Sequence, residues 1–118
     1  MRVASRPSDG GRSQQRRGGR IGRVDTELAD RILDVVAAIP PGRVSTYGDV
    51  AARAGGNSPR FAGWVLAQLA NDGIPWHRVL PASGRPAPHL AVRQLALLAA
   101  EGVHAVDGRV SLRAYRLR

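Results

Sequence analysis

His77 and Glu101 carry the side-chain types that acid–base catalysis uses, an imidazole and a carboxylate. Such groups can pass a proton to or from a reacting atom, so an enzyme built on this pair is one hypothesis. The 118-residue chain contains no cysteine, which excludes a thiol nucleophile, a disulfide and a zinc–thiolate site. It also shows no obvious cluster of metal ligands, so we expect neither a metal nor another cofactor.

The charge of the chain indicates a different chemistry, the binding of a polyanion. Eighteen basic residues stand against nine acidic ones, a net charge of +9, and every basic residue is arginine. A GC-rich coding bias explains why arginine replaces lysine, but it does not explain the excess of bases over acids. Such an excess in a small domain is typical of nucleic-acid binding, with ordinary solvated surface charge as the alternative.

The first 24 residues differ in composition from the rest of the chain. They hold seven arginines and one aspartate, with glycine, serine and glutamine between them and few apolar residues. Such a segment cannot bury enough apolar surface to fold, so we predict a disordered basic arm over 1–24 and one domain over 25–118. The arm would contact a phosphate backbone, or it is a solubilising tail or the product of a misassigned start codon.

Neither a signal peptide nor a membrane span is expected. No apolar run follows the basic start, and none approaches the roughly 18 consecutive apolar residues of a spanning helix. We therefore expect a soluble, cytoplasmic, monomeric protein that makes no contact with a membrane.

The apolar spacing predicts a helical first half. A first helix begins near Asp25 or Thr26 and ends at 40–42, the sequence Pro-Pro-Gly. Thr46 and Asp49 have the spacing of a capping box, which predicts the start of a second, short helix.

A third helix is predicted from Ser58 to about Ala70, with serine as the N-cap and proline at the first helical position. Its apolar stripe would be Phe61, Val65 and Leu69, which recur every four residues. Two short helices joined by a glycine turn favour a helix-turn-helix, although helical hairpins are common.

The second half of the chain predicts a small β component and one more helix. An apolar segment over 74–80 precedes a loop over 81–88, and a helix follows over about 89–101. The tail over 103–112 is predicted to be a hairpin that turns at Asp107 and Gly108.

Three blocks of the sequence match one family in order and in spacing. They cover 39–51, 58–63 and 71–79. A Glu-Gly pair follows at 101–102, after the next predicted helix. They resemble the C-terminal domain of the O6-alkylguanine-DNA alkyltransferases over about 26–118. That family reads Pro-Cys-His-Arg-Val in its active-site block, whereas Trp76 occupies the cysteine position here. Tryptophan at that position marks the alkyltransferase-like proteins, which the chain resembles closely.

The resemblance implies a winged helix-turn-helix-like DNA-binding domain that binds without catalysing. Alkyl transfer needs a thiolate, and the nitrogen electrons of the Trp76 indole belong to its ring. His77 and Glu101 match the residues that activate the thiol, so they become structural relics, as do Arg78 and Asn71. The protein would flip O6-alkylguanine out of duplex DNA, through the minor groove, and pass the site to nucleotide excision repair proteins. The composition indicates a bacterial protein, which would act in the cytoplasm at the nucleoid.

The resemblance also assigns the residues that contact DNA. Arg60 matches a finger that fills the gap left by the flipped base, with a plain phosphate contact as the alternative. Tyr47 matches a tyrosine that crowds the neighbouring phosphate, unless it is a core aromatic residue. Small residues on the third helix would permit close approach to the groove, and the lesion pocket would be formed around the tryptophan. These two sets are Ala62 and Gly63 on the helix, and Trp76, Val79, Ser83 and Arg85 at the pocket. The alternatives are that Trp76 is a buried residue that fills the space of the cysteine, and that Arg85 is a solvent-facing loop arginine.

A small winged helix-turn-helix transcriptional regulator is the alternative reading. A regulator reads base edges with polar side chains on its second helix. Ala62 and Gly63 offer none, and minor-groove recognition is largely independent of sequence, which favours the damage sensor.

Overall fold

The computed structural model describes residues 23–118, so the predicted arm lies outside the described residues except for its last two positions, which begin the first helix. Helices dominate, with one short parallel sheet, which confirms a mainly α domain with a small β component. In chain order the elements are α1 (Arg23–Ala37), β1 (Ser45–Thr46), α2 (Tyr47–Arg53), α3 (Pro59–Leu69), a 3-10 helix (Trp76–Arg78), β2 (Val79–Leu80), α4 (Ala91–Ala99) and α5 (Leu112–Tyr115). None of the helices within 23–118 has the length and apolarity needed to cross a membrane.

The starts of α2 and α3 are fixed by the caps that the sequence predicts. The Asp49 backbone N–H donates to Thr46 Oγ1 over 3.0 Å, and the Thr46 N–H donates to the Asp49 carboxylate over 3.4 Å. At α3 the Phe61 N–H donates to Ser58 Oγ over 3.0 Å, with proline in the first turn. Each cap satisfies a helix N–H that has no partner within the helix. In contrast, α1 starts at Arg23, two residues before the predicted Asp25.

The short sheet joins segments that are distant in sequence. Strands β1 and β2 run parallel, with Ser45 opposite Val79 and Thr46 opposite Leu80. The end of the chain adds a bridge beside β1, where the Val44 N–H donates to the Tyr115 carbonyl over 3.0 Å. The sheet thereby fixes the 3-10 helix, which ends where β2 begins.

The sheet also separates two apolar clusters. Val79 packs into a cluster formed with α1, α2 and α3, whereas its neighbour Leu80 packs into a second cluster with α4 and the tail. Successive strand residues point to opposite faces, so a two-residue strand is enough to join both clusters. The most buried members of the first cluster include Ile32, Val36, Val50 and Val65, and those of the second include Val44, Leu98, Val103 and Val110.

The apolar stripe of α3 differs from the predicted one. Its buried residues are Ala62, Val65 and Leu66, while Leu69 is 44% exposed and Phe61 is half-buried. A strict four-residue spacing drifts about 40° per step around a helix of 3.6 residues per turn. Phe61 and Leu69 therefore cannot both face the centre of the core.

The predicted hairpin in the tail is reduced to a tight turn closed by one bridge. Asp107 and Gly108 have φ values of 53° and 78°, as a two-residue hairpin turn requires. Val106 and Arg109 exchange backbone hydrogen bonds of 3.0 and 3.1 Å across it. The tail then pairs with the loop after β2, because the Val110 N–H donates to the Gly84 carbonyl over 2.9 Å.

We expect Gly84→Ala to destabilise the fold more than Gly102→Ala. Both glycines have positive φ, 79° and 86°, which costs an alanine about 1–2 kcal/mol. At Gly84 the added Cβ would also collide with the Val110 carbonyl oxygen, whereas at Gly102 it meets no atom within 4 Å. Overpacking of this kind adds about 1–3 kcal/mol. Urea unfolding of the two variants measures the difference, and equal losses would contradict the close approach of loop and tail.

Candidate nucleic-acid interface

Trp76, at the start of the 3-10 helix, lines two cavities. The first, which we call the Trp76 pocket, has a volume of about 470 Å³, within the range of small-molecule sites. It lies between α3 and the end of the loop before α4, and its walls are largely apolar. Its lining residues are Tyr47, Gly63, Leu66, Ala67, Ala70, Trp76, Ala87, His89 and Leu90.

The indole is held by polar groups that belong to the second cavity. The Arg93 guanidinium carbon lies 5.8 Å from the centroid of the Trp76 ring, a cation–π distance. The His77 ring meets the indole edge-on at 6.1 Å. Arg93 and His77 both line the second cavity, of about 390 Å³, and neither lines the Trp76 pocket. The indole therefore forms a supported wall between the two.

His77 and Arg78 converge on the carboxylate of Glu101. His77 Nε2 lies 2.8 Å from Oε2, and Arg78 donates from Nη2 to Oε2 over 2.7 Å and from Nε to Oε1 over 3.0 Å. The Gly42 N–H donates to Oε1 over 3.3 Å, and Arg78 Nη1 donates to the Ile39 carbonyl over 2.8 Å. This network joins the end of α1, the 3-10 helix and the end of α4.

The network fixes the charge of Glu101. The hydrogen bonds from Arg78, and then those from His77 and Gly42, lower the pKa of Glu101 from 4.5 to about 2, against the effect of burial. The carboxylate is therefore ionised at neutral pH, and its oxygens already accept these bonds. The contact of 2.8 Å between His77 and Glu101 has the geometry of a structural hydrogen bond.

Gln94 is a buried polar residue of the site that the sequence analysis missed. Its Nε2 donates to the carbonyls of His77 and Val79 over 3.0 and 2.9 Å, and the residue is 1% exposed. These bonds support the segment that carries Trp76. The sequence could have indicated this role, because Gln94 precedes Leu98 by four residues and so shares the apolar face of α4. A polar group on such a face needs a hydrogen-bond partner.

Arg60 and Tyr47 lie together at a surface groove of about 470 Å³, which we call the Arg60 groove. Arg60 is exposed in the first turn of α3, and burial raises the pKa of Tyr47 at the first residue of α2. Tyr47 and Gly63 line both this groove and the Trp76 pocket. A Cβ on Gly63 would lie 3.8 Å from the tyrosine ring, an ordinary van der Waals distance, so Gly63 packs closely beside Tyr47.

Two residues expected at the DNA surface lie in the core instead. Ala62 and Val79 are both fully buried in the first apolar cluster. Ala62 lies on the inner face of α3, and Val79 points inward from β2. Neither side chain reaches the surface, because the sequence analysis placed both residues by their position in a motif and not by the face of their element.

Ser83 and Arg85 also lie away from the Trp76 pocket. Arg85 Nη1 donates to the Asp107 carbonyl over 3.0 Å, and its backbone N–H donates to Ser83 Oγ over 3.2 Å. The pairing of Gly84 with Val110 draws this part of the loop toward the tail. Later loop residues, Ala87, His89 and Leu90, line the pocket in their place.

Asn71 and two aromatic residues of α3 complete the surroundings of the site. Asn71 Oδ1 accepts a 2.9 Å hydrogen bond from the Gly73 N–H and so supports the turn before the 3-10 helix. Phe61 packs against the core, whereas Trp64 is 40% exposed and stacks on Phe61 with ring centroids 5.9 Å apart. Across residues 23–118 the His, Asp and Glu side chains form no group of three that could hold a metal ion.

Comparison with known proteins places the chain among DNA-binding domains. A family model described as the DNA-binding domain of 6-O-methylguanine DNA methyltransferase matches residues 27–103. The DNA base-flipping protein of Escherichia coli K12 is 43% identical over 99 residues, which are 78% of this chain and 75% of that protein. Alkyltransferase-like protein 1 of Schizosaccharomyces pombe is 38% identical over 60 residues, 49% of this chain and 56% of that one.

A solved structure shows the same architecture. The crystal structure of S. pombe Atl1 in complex with damaged DNA containing O6-carboxymethylguanine matches with a TM-score of 0.73 at 29% identity. The match covers 79% of this chain and 96% of that one. Together with the family model, it confirms the predicted winged helix-turn-helix-like fold.

We expect Glu101→Gln to destabilise the protein in a pH-dependent way. The pKa of Glu101 falls from 4.5 to about 2 in the folded state, so its stabilising effect is fully present above pH 4.5 and is lost as the pH falls toward 2. The free energy of unfolding of wild type should exceed that of the variant by up to about 3 kcal/mol at pH 7. This difference should disappear near pH 2.

Urea unfolding at several pH values measures this gap. Glu27→Gln, at an exposed position of α1, is the matched control and should change stability at pH 7 by less than about 0.5 kcal/mol. A gap between wild type and Glu101→Gln that stays constant with pH would contradict the ion-pair network.

Proposed function

This chain belongs to the family of the 6-O-methylguanine DNA methyltransferase DNA-binding domain, as one of its alkyltransferase-like members, and we propose that it binds O6-alkylguanine in duplex DNA as a flipped base without removing the alkyl group. The observation that carries this proposal is that the Trp76 pocket borders the Arg60 groove. Tyr47 and Gly63 line both, so a base extruded beside α3 can enter the pocket from the groove.

The pocket supplies the stabilisation that an extruded base needs. Flipping costs a few kcal/mol, and less where the lesion has already weakened base pairing. Stacking of a base on an aromatic ring contributes roughly 1–3 kcal/mol. Trp76 offers that ring, Arg93 and His77 hold it from the far side, and Leu66 and Leu90 add apolar wall.

Arg60 is proposed as the finger that occupies the vacated position in the duplex. Its side chain is exposed at the Arg60 groove, which borders the pocket. Helix α3 presents Arg60, Trp64 and Ala67 on its exposed side, with Gly63 at the edge of that side. The two small residues suit close approach to the minor groove, where recognition depends little on sequence.

Binding is proposed to proceed without catalysis. The chain contains no cysteine, and the lone pair of the Trp76 nitrogen is part of its aromatic ring. His77 is held by Glu101, whose low pKa makes it a poor proton acceptor at neutral pH. The side chains that would activate a nucleophile therefore stabilise the fold around the pocket.

A protein that holds a lesion without repairing it must leave the repair to others. We propose that the bound complex is passed to nucleotide excision repair proteins in a bacterial cytoplasm, with the domain acting as a monomer. This part of the proposal rests on the resemblance to alkyltransferase-like proteins. The arm over 1–24 would add phosphate contacts that do not depend on the lesion, because it carries seven arginines.

We expect preferential binding to a duplex that contains O6-methylguanine over the same undamaged duplex, with the lesion recovered unchanged. Fluorescence anisotropy gives both affinities, and mass spectrometry of the recovered oligonucleotide shows whether the alkyl group was moved. A series of O6-alkyl groups of increasing size then tests the dimensions of the Trp76 pocket. Equal affinity for both duplexes, or loss of the alkyl group, would overturn the proposal, and a footprint on one undamaged operator would favour a transcriptional regulator.

We expect Arg60→Ala to lower the affinity for the lesion duplex about 10- to 100-fold, a loss of roughly 1.4–3 kcal/mol. Arg60→Lys is the control, because lysine keeps the charge but lacks the planar group that fills a gap between stacked bases. A finger role predicts that lysine rescues little of the lesion preference. Full rescue by lysine would instead make Arg60 a phosphate contact.

A further inference from the structure

A third cavity lies beside the tail of the chain, outside the Trp76 pocket. We call it the tail cleft; it has a volume of about 440 Å³ and is open to solvent along one side. Arginine, histidine and serine side chains supply its polar lining, and neither aspartate nor glutamate is among the lining residues. These are Ala82, Ser83, His104, Val106, Arg109, Val110, Ser111, Leu112 and Arg113.

The positive charge of the tail cleft is not neutralised within the described part of the chain. The nearby Arg116 is paired with Asp49 over 2.7 Å, and Arg78 is paired with Glu101. Arg109 and Arg113 take part in none of the ion pairs formed among residues 23–118. Unpaired guanidinium groups around an open cleft favour an anionic ligand.

The tail cleft is built on a fixed backbone. The bridge between Val106 and Arg109 closes its turn, and the Val110 N–H donates to the Gly84 carbonyl. Arg85 ties the same turn to the loop through the Asp107 carbonyl. A rigid site loses little conformational entropy when a ligand binds, so these contacts raise the affinity that its arginines can provide.

The tail cleft adjoins the Arg60 groove. Ala82 lines both, so the two surfaces meet at the loop that follows β2. A nucleic-acid strand that passes Arg60 can therefore continue into the cleft without leaving the protein surface. Ser83, which the sequence analysis placed at the lesion pocket, lines the tail cleft, and Arg85 contacts its turn at the Asp107 carbonyl.

We propose that the tail cleft binds the phosphodiester backbone of the duplex beside the flipped base, through Arg109 and Arg113. The inference rests on the proposed function for the location of the DNA. Guanidinium groups donate paired hydrogen bonds to phosphate oxygens, and such contacts position a duplex without reading its sequence. The cleft therefore contributes equally to damaged and undamaged DNA, whereas the Trp76 pocket supplies the preference for the lesion.

The test compares Arg109→Ala, Arg113→Ala and the double variant with wild type on duplexes with and without O6-methylguanine. Each lost phosphate contact should make the plot of log K against log salt less steep by about 0.9, and the double variant by about 1.8. Affinity should fall by the same factor on both duplexes, which leaves the lesion preference unchanged. Arg53→Ala is the control for charge, because Arg53 is an exposed arginine that lines a different cavity.

The outcomes separate this inference from the proposed function. The proposal that the tail cleft binds phosphate would be overturned if the double variant had the same salt dependence as wild type. It would also be overturned if the change in salt dependence per arginine were no larger than that caused by Arg53→Ala. The proposal would also be overturned if the double variant lost affinity for the lesion duplex but kept its affinity for the undamaged duplex. If wild type shows no lesion preference while the double variant still shows the smaller salt dependence, the proposed function is wrong but phosphate binding by the tail cleft is supported.

Discussion

The ion pair between Glu101 and Arg78 is the interaction on which the arrangement of the site depends. A single carboxylate at the end of α4 accepts hydrogen bonds from Arg78, His77 and Gly42, which lie on segments far apart in the sequence. The side chains of Glu101 and Arg78 are each only 14% exposed, so neither is stable in this position without the other. Because Arg78 also binds the Ile39 carbonyl, the pair locks the 3-10 helix against the end of α1.

This constraint explains how a residue with no nucleophilic group can occupy the centre of the site while the surroundings persist. The bonds of His77, Arg78 and Glu101 hold the backbone, and they do not involve the side chain of Trp76. The proposed exchange of a thiol for an indole at that position therefore leaves the network intact. Gln94 supports the same segment by bonding the His77 and Val79 carbonyls, and Arg93 adds a cation above the indole.

Five of the arginines can be divided according to whether they form an ion pair with a carboxylate. Arg78 and Arg116 are paired with carboxylates and stabilise the fold, the first inside the site and the second between the end of the chain and α2. Arg60, Arg109 and Arg113 take part in no ion pair among residues 23–118, and they line two cavities that meet at Ala82. The proposed path for DNA follows Arg60, Arg109 and Arg113, because their guanidinium groups can neutralise phosphate without first breaking an ion pair within the protein.

Local sequence determined the helix caps, the tight turn at Asp107 and the lack of a thiol, because each depends on a residue type or on partners within three positions of one another. The resemblance to one family gave the fold and the central place of Trp76. Packing decided which faces of the elements are buried, and so placed Ala62 and Val79 in the core. The pairing of Gly84 with Val110, 26 positions apart, draws Ser83 into the lining of the tail cleft and brings Arg85 against the Asp107 carbonyl, away from the lesion pocket. Contacts between distant segments depend on how all the elements pack together, and spacing along the chain does not encode them directly.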